Sequence, residues 1–274
     1  MSTRVRTVIS CSRRSDVPSY HIDWLLSALS TGHCEVKGPF GGPTRRVSLL
    51  ARDVHTIVLW SKDFAPLLAR VDAFSSYHLF FHFTMNTPSP LEGELPPLAA
   101  RLRQLATLAR RFGPERISWR FDPIVFWRGR DGVVRDNLSA FERIAAAAAR
   151  VGVSRCVFSF ATLYPKVLRR QRRLGVEFVD PPLARKREIV ARLAETAGRH
   201  GISLMACCQP ELLGVAGVRP SSCVDGRLLS ELAGEEADAR RDGGQRAGCG
   251  CTRSVDIGAY NTCRRGCAYC YALP

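Results

Sequence analysis

Short apolar, β-branched runs alternate along this chain with longer amphipathic segments. The pattern predicts strands at residues 7–11, 55–60, 77–84, 116–121, 155–160 and 202–207. It predicts helices at residues 21–29, 64–71, 98–112, 139–151 and 183–199. Strands that alternate with helices form parallel sheets with right-handed crossovers. We therefore predict an α/β fold, a full or partial TIM-like parallel barrel, with residues 1–274 as one domain.

Three regions depart from this alternation. Residues 34–37 and 46–50 flank a Gly/Pro turn at 38–43, a pattern that predicts an inserted hairpin. Residues 234–250 are polar and glycine-rich and are predicted to form a loop. This loop leads into a cysteine-rich C-terminal segment, residues 249–274, in which residues 254–257 predict one further strand.

All six predicted strands before that segment end in polar side chains. Ligands of parallel α/β folds bind beyond the carboxyl ends of the strands, so these ends together predict a polar pocket. Any one of them fits a helix cap or a turn equally well. Arg120 and Asp122 are the strongest catalytic candidates because they flank Phe121, which we expect to point inward. They could instead pair with each other as a structural bridge.

Composition narrows the class of protein. Apolar residues make up 46% of the chain, enough for a large core, yet no run has the length of a membrane span. The N-terminus lacks a signal-peptide core, so we expect a cytoplasmic protein, in which 11 cysteines favour metal binding over disulfides. The net charge of +15 would suit nucleic acid, although no binding motif accompanies it and it could be solvated helix surface.

Three cysteines near the C-terminus form the most specific motif. Cys263, Cys267 and Cys270 are spaced C-x3-C-x2-C, with a glycine before the second and a tyrosine on each side of the third. Three thiolates can bind three irons of a [4Fe-4S] cluster and leave the fourth iron open to a small molecule. The alternatives are three unrelated thiols or half of a zinc site, although zinc usually takes four ligands in two close pairs.

Four other cysteines lie near predicted loops at the ligand-binding edge of the sheet. Cys207, Cys223, Cys249 and Cys251 could hold a second iron–sulfur cluster or a zinc ion, and Cys208 could take the place of Cys207. The alternative is a set of scattered thiols that act as small buried apolar residues. The spacing leaves both interpretations open.

Several segments resemble an uncharacterised bacterial family, the domain-of-unknown-function family 1848. The similar segments are residues 9–18, 58–62, 119–124, 222–225 and 254–272, so the resemblance spans the chain. Where the family has Cys-x-Glu near position 207, this chain has Cys-Cys-Gln.

Residues 254–272 also resemble the cluster loop of spore photoproduct lyase-like proteins, which are radical S-adenosylmethionine (SAM) enzymes. In those proteins the loop follows the first barrel strand, so the resemblance implies that this chain is circularly permuted. The N-terminal strand would then follow the loop in space. The resemblance implies that Tyr269 packs against the cluster or the adenine and that a run of five residues lies beside SAM, namely Ser12, Arg13, Arg14, Ser15 and Asp16.

The favoured hypothesis is a radical SAM enzyme that cleaves SAM reductively and starts radical chemistry on an unknown substrate. Arg120 and Asp122 would contact SAM or substrate, and a flavodoxin or ferredoxin would supply the electron. One rival is a non-catalytic iron–sulfur protein that binds nucleic acid or senses redox state. Another is a barrel stabilised by zinc.

Overall fold

The chain folds as strands and helices in alternation. The structure is a computed structural model that describes residues 5–38 and 42–274. The strands are β1 (Thr7–Cys11), β2 (His33–Lys37), β3 (Thr44–Ser48), β4 (Val54–Ser61), β5 (His78–Thr84), β6 (Ile117–Ile124), β7 (Phe126–Arg128), β8 (Val134–Asp136), β9 (Arg155–Phe160), β10 (Glu177–Val179), β11 (Ser203–Ala206), β12 (Val218–Pro220) and β13 (Val255–Asp256). The helices are α1 (Val17–Tyr20), α2 (Ile22–Thr31), α3 (Ala65–Leu68), α4 (Leu98–Phe112), α5 (Phe141–Arg150), α6 (Pro165–Leu174), α7 (Leu183–Arg199) and α8 (Gly226–Ala233).

One eight-stranded sheet organises the molecule. Its strand order is β12-β11-β9-β6-β5-β4-β1-β13, and every neighbouring pair is parallel. This confirms the predicted α/β class with a parallel sheet. Within the described ranges, β12 and β13 are the two edges of the sheet and do not pair with each other, so the sheet order does not establish a closed TIM barrel.

The two faces of the sheet bury different side chains. Along β5, Leu79, Phe81 and Phe83 belong to the large core beneath the helices, whereas Phe80 belongs to a smaller core on the opposite face. This alternation follows from the two-residue period of a strand. We call the opposite face the second face of the sheet; it is covered by α8 and by the segment around residues 249–251.

Phe121 points into the core beneath the helices. Its ring makes an edge-on contact with Phe141 of α5, with centroids 5.0 Å apart, and it is fully buried in the core beneath the helices. The side chain of Phe121 thus lies in the interior of the protein. Because neighbours on a strand alternate, Arg120 and Asp122 face away from that core and toward the second face.

Helix α5 shows how the sequence pattern builds the helical layer. Phe141, Ile144, Ala145 and Ala148 are its buried residues, and they recur at the three- and four-residue spacing of one helical face. The small alanines let the helix approach the sheet closely. After the helix ends, Gly152 turns the chain with φ 82°, a value that favours glycine.

Local patterns predicted many element boundaries. The bounds of β1, α4, β9 and α7 agree with the prediction, and β2 and β3 form the predicted antiparallel hairpin. Part of its predicted turn, residues 39–41, lies outside the described residues, as do residues 1–4 of the N-terminus. The prediction lacked α6, α8, β12 and the antiparallel sheet β10-β7-β8. None of the described helices is both long and apolar enough to cross a lipid bilayer.

Candidate functional site

The cysteine motif lies in a loop that directly follows β13 at the edge of the sheet. We call residues 258–274 the terminal loop. Strand β13 pairs in parallel with β1, with Ile9 opposite Val255 and Ser10 opposite Asp256. The carboxyl end of β13 therefore lies beside the carboxyl end of β1, and the terminal loop begins next to the polar run at residues 12–16.

The carboxylate of Asp256 ties these two strand ends together. It accepts hydrogen bonds from the Ser10 and Ser12 hydroxyls at 2.6 and 2.7 Å, and from the backbone N–H groups of Arg13 and Gly258 at 2.8 and 3.0 Å. Asp256 is 9% exposed, so its carboxylate has little contact with solvent and instead stabilises the junction of β1 and β13. Asp256 was not predicted from the sequence, because a single acid on a short strand forms no pattern.

Residues 13–16 contact the terminal loop directly. Ser15 Oγ accepts a hydrogen bond from the Thr262 hydroxyl at 2.8 Å, and the carbonyl of Arg13 accepts one from the Tyr271 hydroxyl at 2.6 Å. The carboxylate of Asp16 forms an ion pair with Arg265 at 3.4 Å. The predicted proximity of the polar run and the cysteine motif is thus present in the structure.

Asp16 also caps the N-terminus of α1. Its carboxylate accepts hydrogen bonds from the Ser61 hydroxyl at 2.6 Å and from the backbone N–H groups of Ser19 and Lys62, both at 3.2 Å. Burial raises its pKa, while the Ser61 hydrogen bond and the charge of Arg265 act in the opposite direction. Direct contact between Asp16 or its neighbours and SAM stays a prediction.

The three thiols of the motif are close enough to affect one another. The pKa of Cys267 is raised to about 12, chiefly by burial; the charge of Lys62 acts to lower it, and Glu92, Cys270 and Cys263 act to raise it. Burial raises the pKa of Cys263, although the backbone N–H groups of Arg265 and Asp16 act to lower it, and Cys270 Sγ accepts the N–H of Ala272 at 3.3 Å. Donors that point at sulfur stabilise thiolates over thiols.

A segment after β5 binds the other side of the terminal loop. The N–H of Ala268 donates to the Leu91 carbonyl at 2.8 Å, and the N–H of Gly93 donates to the Arg265 carbonyl at 3.1 Å. A Cβ added at Gly93 would lie 2.1 Å from that carbonyl oxygen, so this close approach requires glycine. The loop is thereby held between the N-terminal run and residues 91–94.

Glu92 brings a buried ion pair to the motif. Lys62 Nζ lies 2.9 Å from its carboxylate, and the Tyr269 hydroxyl donates to the same oxygen. Burial acts to raise the pKa of Glu92, but the charge of Lys62 and the Tyr269 hydrogen bond outweigh it and lower the pKa. Tyr269 is buried as part of this network. Sequence reasoning missed Glu92 because it lies in a Pro-rich loop without periodicity.

Helix α6 holds the cysteine turn from a third side. Arg170 donates to the Cys267 carbonyl at 3.1 Å and also to the Cys270 carbonyl. The two carbonyls belong to one turn, because the N–H of Cys270 donates to the Cys267 carbonyl at 3.0 Å. No sequence pattern marks Arg170, which is one of four arginines in a polar helix.

Arg120 and Asp122 pair with each other, the structural alternative left open by the sequence. The Ser159 hydroxyl donates to Asp122, and Arg120 Nη1 donates to Cys223 Sγ at 2.9 Å. Arg120 is 7% exposed. Its nearest thiol therefore belongs to the second set of cysteines and not to the terminal motif.

Five cysteines from three separate segments meet on the second face of the sheet. Cys207 Sγ and Cys223 Sγ are 3.6 Å apart, Cys251 contacts Cys223 and Cys249, and Cys208 contacts Cys207 and Cys249. The structure thus brings together the four cysteines predicted as a second site and adds Cys208 to them. We call these residues the five-cysteine group.

Cationic side chains surround the five-cysteine group. Arg13 contacts Cys251 and lies 5.3 Å from the centre of the Trp60 ring, so its guanidinium faces this group while its backbone serves the terminal loop. Hydrogen bonds from Cys207 and Cys251, together with the Arg120 charge, lower the pKa of Cys223 well below its usual range.

His82 packs against the same group as a neutral side chain. Its ring stacks on Trp60 with centroids 4.9 Å apart, and burial lowers its pKa to about 4. Its Nε2 lies 2.6 Å from the Cys223 carbonyl, which can only accept, so Nε2 carries the proton. The Nδ1 atom is buried without a hydrogen-bond partner.

Neither set of thiols is arranged as the ligands of one ion. Across residues 5–38 and 42–274, no three His, Cys, Asp or Glu side chains converge as a single metal ion requires. A [4Fe-4S] cluster makes a different demand, since each thiolate binds a different iron.

Comparison with known proteins places the chain in a family. A family model described as a domain of unknown function, DUF1848, matches residues 8–272. The chain belongs to this family. The resemblance noted from its separate segments is therefore confirmed, and the match includes both the N-terminal polar run and the terminal cysteines of this DUF1848 protein.

Other comparisons add little to the family assignment. No curated protein matches this DUF1848 chain. Two D-hydantoinase structures, the second from Bacillus sp. AR9, match 65% and 59% of it at 14% and 12% identity, with TM-scores of 0.31 and 0.32. The match covers only 41% and 36% of the hydantoinase chains, and a likeness this weak carries no conclusion about function.

Proposed function

We propose that this DUF1848 protein is a radical SAM enzyme whose terminal loop holds a [4Fe-4S] cluster through Cys263, Cys267 and Cys270. The observation that carries the proposal is the position of the loop. It follows a parallel strand, β13, and lies against the polar end of the neighbouring strand, β1. This is the arrangement that a cluster loop between two consecutive barrel strands would need.

The residues of the terminal loop fit such a cluster chemically. The motif offers three thiols; the N–H of Ala272 donates to Cys270 Sγ at 3.3 Å, and the backbone N–H groups of Arg265 and Asp16 act to lower the pKa of Cys263. Such N–H donors stabilise and tune cluster thiolates. The cations Lys62, Arg170 and Arg265 lie around the loop and would offset the negative charge of a thiolate-bound cluster. Burial that raises the pKa of Cys267 to about 12 disfavours a free thiolate, so iron binding would have to supply the compensating stabilisation.

We further infer that the chain is a circularly permuted, partial barrel of the radical SAM type. In this interpretation β13 takes the part of the first barrel strand and β1 takes the part of the second. A permutation of this kind needs chain ends that lie close together, and the pairing of β1 with β13 provides that closeness.

A cluster held by Cys263, Cys267 and Cys270 would supply one electron to SAM, whose carbon–sulfur bond would then break to give methionine and a carbon radical next to the substrate. The chain's own residues would position SAM and exclude water. Ser15 and the carbonyl of Arg13 accept hydrogen bonds from the loop, and Ser12 packs against Gly258 at its start. Arg120 and Asp122 would act further along the second face, toward the five-cysteine group, where substrate could bind.

An acidic electron carrier such as a flavodoxin or ferredoxin would find a basic surface beside the cluster. Helix α6 exposes Arg169, Arg172 and Arg173, while Arg170 of the same helix binds the carbonyls of the cysteine turn. Complementary charge steers association and fixes the docking orientation. This surface also accounts for part of the net charge of +15 without a nucleic acid partner.

Anaerobic reconstitution tests the proposal. The full chain is loaded with iron and sulfide, reduced with dithionite and incubated with SAM, and methionine and 5′-deoxyadenosine are quantified. We expect cleavage by the wild type and by the control Cys34→Ala, whose thiol is buried in the hairpin away from the loop. We expect loss of cleavage in Cys263→Ala, since an incomplete ligand set does not hold an open-iron cluster.

The results also separate the rival functions. Full cleavage by Cys263→Ala would refute the proposal. Salt-dependent nucleic acid binding without any SAM cleavage by the wild type would favour the non-catalytic iron–sulfur protein instead. One zinc per chain after strictly anaerobic purification, with no iron uptake, would favour the zinc-stabilised fold.

A further inference from the structure

We propose that the five-cysteine group is a dithiol–disulfide redox site, in which hydrogen peroxide oxidises Cys207 and Cys223 to a disulfide. The group lies on the second face of the sheet, and none of its thiols comes from the terminal motif. This site goes beyond the radical SAM function proposed above, and either can hold without the other.

The thiols of the group contact one another in pairs around a ring. Cys207 contacts Cys223 and Cys208, Cys251 contacts Cys223 and Cys249, and Cys208 also contacts Cys249. Thiolates that bind different irons of a [4Fe-4S] cluster lie farther apart than such contacts. Across residues 5–38 and 42–274, no three of the ligand-type side chains converge on one ion. Pairwise contact without convergence suits disulfide chemistry, because each new bond joins only two sulfurs.

The backbone already holds Cys207 and Cys223 side by side. Strands β11 and β12 pair in parallel with Ala206 opposite Pro220, and the N–H of Ser221 donates to the Ala206 carbonyl at 3.1 Å. The two cysteines follow these strands, and their sulfurs lie 3.6 Å apart. A disulfide needs the sulfurs to approach by about 1.5 Å more, a movement that side-chain rotation can supply without separating the strands.

Cys223 is the thiol best placed to react first. Hydrogen bonds from Cys207 and Cys251, together with the charge of Arg120, lower its pKa and so favour the thiolate, which is the nucleophilic form. Arg120 Nη1 donates to Cys223 Sγ at 2.9 Å, and Arg120 is almost fully buried, so solvent screens its charge little. Cys223 is 8% exposed, which admits an oxidant as small as hydrogen peroxide but not a bulky disulfide.

The peroxide balances the oxidation in two steps. The Cys223 thiolate attacks one peroxide oxygen, the O–O bond breaks, and hydroxide leaves with the electron pair and takes a proton from solvent to become water. Cys223 is then a sulfenic acid. The Cys207 thiol attacks its sulfur, the S–O bond breaks, and the second water leaves with the thiol proton as the S–S bond forms. Two thiols thus lose two electrons, and a dithiol reductant restores them by exchange.

Cys208 differs from Cys207 in its place in the ring. Its φ of 53° lies in the left-handed region, which is uncommon for a residue other than glycine. In an extended chain adjacent side chains would point to opposite sides, whereas here both thiols reach the group. Cys208 contacts Cys249 and lies near Arg246, while Cys207 contacts Cys223. We therefore assign Cys207 as the partner of Cys223.

Peptide mapping of the full chain tests the site. The reduced protein is treated under anaerobic conditions with about one equivalent of hydrogen peroxide, unfolded in an alkylating agent, digested and analysed by mass spectrometry. We expect a Cys207–Cys223 crosslink, the loss of two of the eleven free thiols and full reversal by dithiothreitol. Oxidation that leaves these two cysteines free would overturn the proposal, and this result depends on no variant.

Reactivity gives a second measurement. With limiting peroxide at pH 7, Cys223 should be modified at least about ten-fold faster than Cys34, because burial raises the pKa of Cys34 to about 11. Equal rates of modification at the two thiols would overturn Cys223 as the nucleophile.

Serine variants define the pair. Cys207→Ser should lose the crosslink while Cys223 is still oxidised, either to a sulfenic acid that dimedone captures or to a disulfide with its other neighbour, Cys251. The controls Cys34→Ser and Cys208→Ser should keep the Cys207–Cys223 crosslink. Loss of the crosslink in Cys208→Ser, with a bond to Cys208 mapped in the wild type, would overturn the assignment of the pair.

The remaining outcomes distinguish this inference from the proposed function. The triple variant Cys263→Ser/Cys267→Ser/Cys270→Ser should lose SAM cleavage and still form the crosslink. A wild type that forms the crosslink but does not cleave SAM would refute the radical SAM activity alone. A wild type that cleaves SAM without forming the crosslink would refute the redox site alone. A metal ion that protects the group from peroxide and is lost in Cys223→Ser would identify a metal site and overturn the redox site.

Discussion

Replacing Gly258 by alanine should weaken the junction of β1 and β13. A Cβ at this position would lie 1.9 Å from Ser12 Oγ and 2.4 Å from Ser12 Cβ, whereas non-bonded carbons normally stay about 3.5–4.0 Å apart. The hydroxyl cannot simply rotate away, because it donates to Asp256 at 2.7 Å and accepts the N–H of Arg14 at 2.8 Å. The backbone of one strand end must therefore move by about 1 Å or more.

The structure sets the size of the expected effect. Overpacking of this kind costs about 1–3 kcal/mol, and a displaced hydrogen bond costs about 1 kcal/mol more. We expect the free energy of unfolding to fall by about 3 kcal/mol, which lowers the Tm by about 6–12 °C for a chain of this size. Thermal unfolding followed by circular dichroism measures this shift, and anaerobic iron loading reports whether the terminal loop is disturbed.

Two further variants make the test specific. Gly198→Ala is the matched control, because a Cβ at this exposed position in α7 meets no atom within 4 Å and should leave the Tm unchanged or slightly raised. Ser12→Gly removes the atoms that clash, so it should cost less in the Gly258→Ala background than in the wild type. A Tm for Gly258→Ala within about 2 °C of the wild type would refute the close approach of these two segments.

Two further predictions concern the surroundings of the terminal loop. Glu92→Gln leaves Lys62 buried without its partner and should lower the free energy of unfolding of the iron-free chain by about 3 kcal/mol at pH 7. Because the folded-state pKa of Glu92 is lowered, its contribution to the free energy of unfolding is fully present above about pH 4.3, the pKa in the unfolded chain, and is lost as the pH falls through the folded-state pKa. A difference in Tm between wild type and Glu92→Gln that stays constant from pH 7 to pH 3 would contradict this prediction. Charge reversal at Arg172 and Arg173 of α6 should slow reduction by an acidic flavodoxin at least several-fold at low salt, leave dithionite reduction unchanged and lose its effect at high salt. Charge reversal at an exposed arginine of α7 is the control. If it slows reduction by flavodoxin equally, α6 is not the docking surface.

Secondary structure was the part of the fold most open to prediction. The bounds of β1, α4, β9 and α7 followed from periodicity, because burial of one face or one stripe is a local property of the sequence. Helix α6 was missed because prediction from periodicity needs an apolar stripe. Val167 is its one buried residue, so the helix has no apolar stripe to reveal it.

The two sets of cysteines differ in whether the sequence alone could predict that they lie together. The spacing of Cys263, Cys267 and Cys270 was sufficient to predict one loop with three thiols, because neighbours along the chain remain neighbours in space. The same sequence left Cys207, Cys223, Cys249 and Cys251 open, and it gave no sign that Arg120 would bind Cys223.

Only the tertiary structure decided what lies beside the terminal loop. The pairing of β1 with β13 and three of the four hydrogen bonds to Asp256 join residues more than two hundred positions apart. A carboxylate, two hydroxyls and a glycine carry no periodic signal, and they form a junction only when the packing of the whole sheet brings their strands together. The sequence by itself determined the α/β pattern and the terminal motif, whereas long-range strand pairing determined the surroundings in which the motif must act.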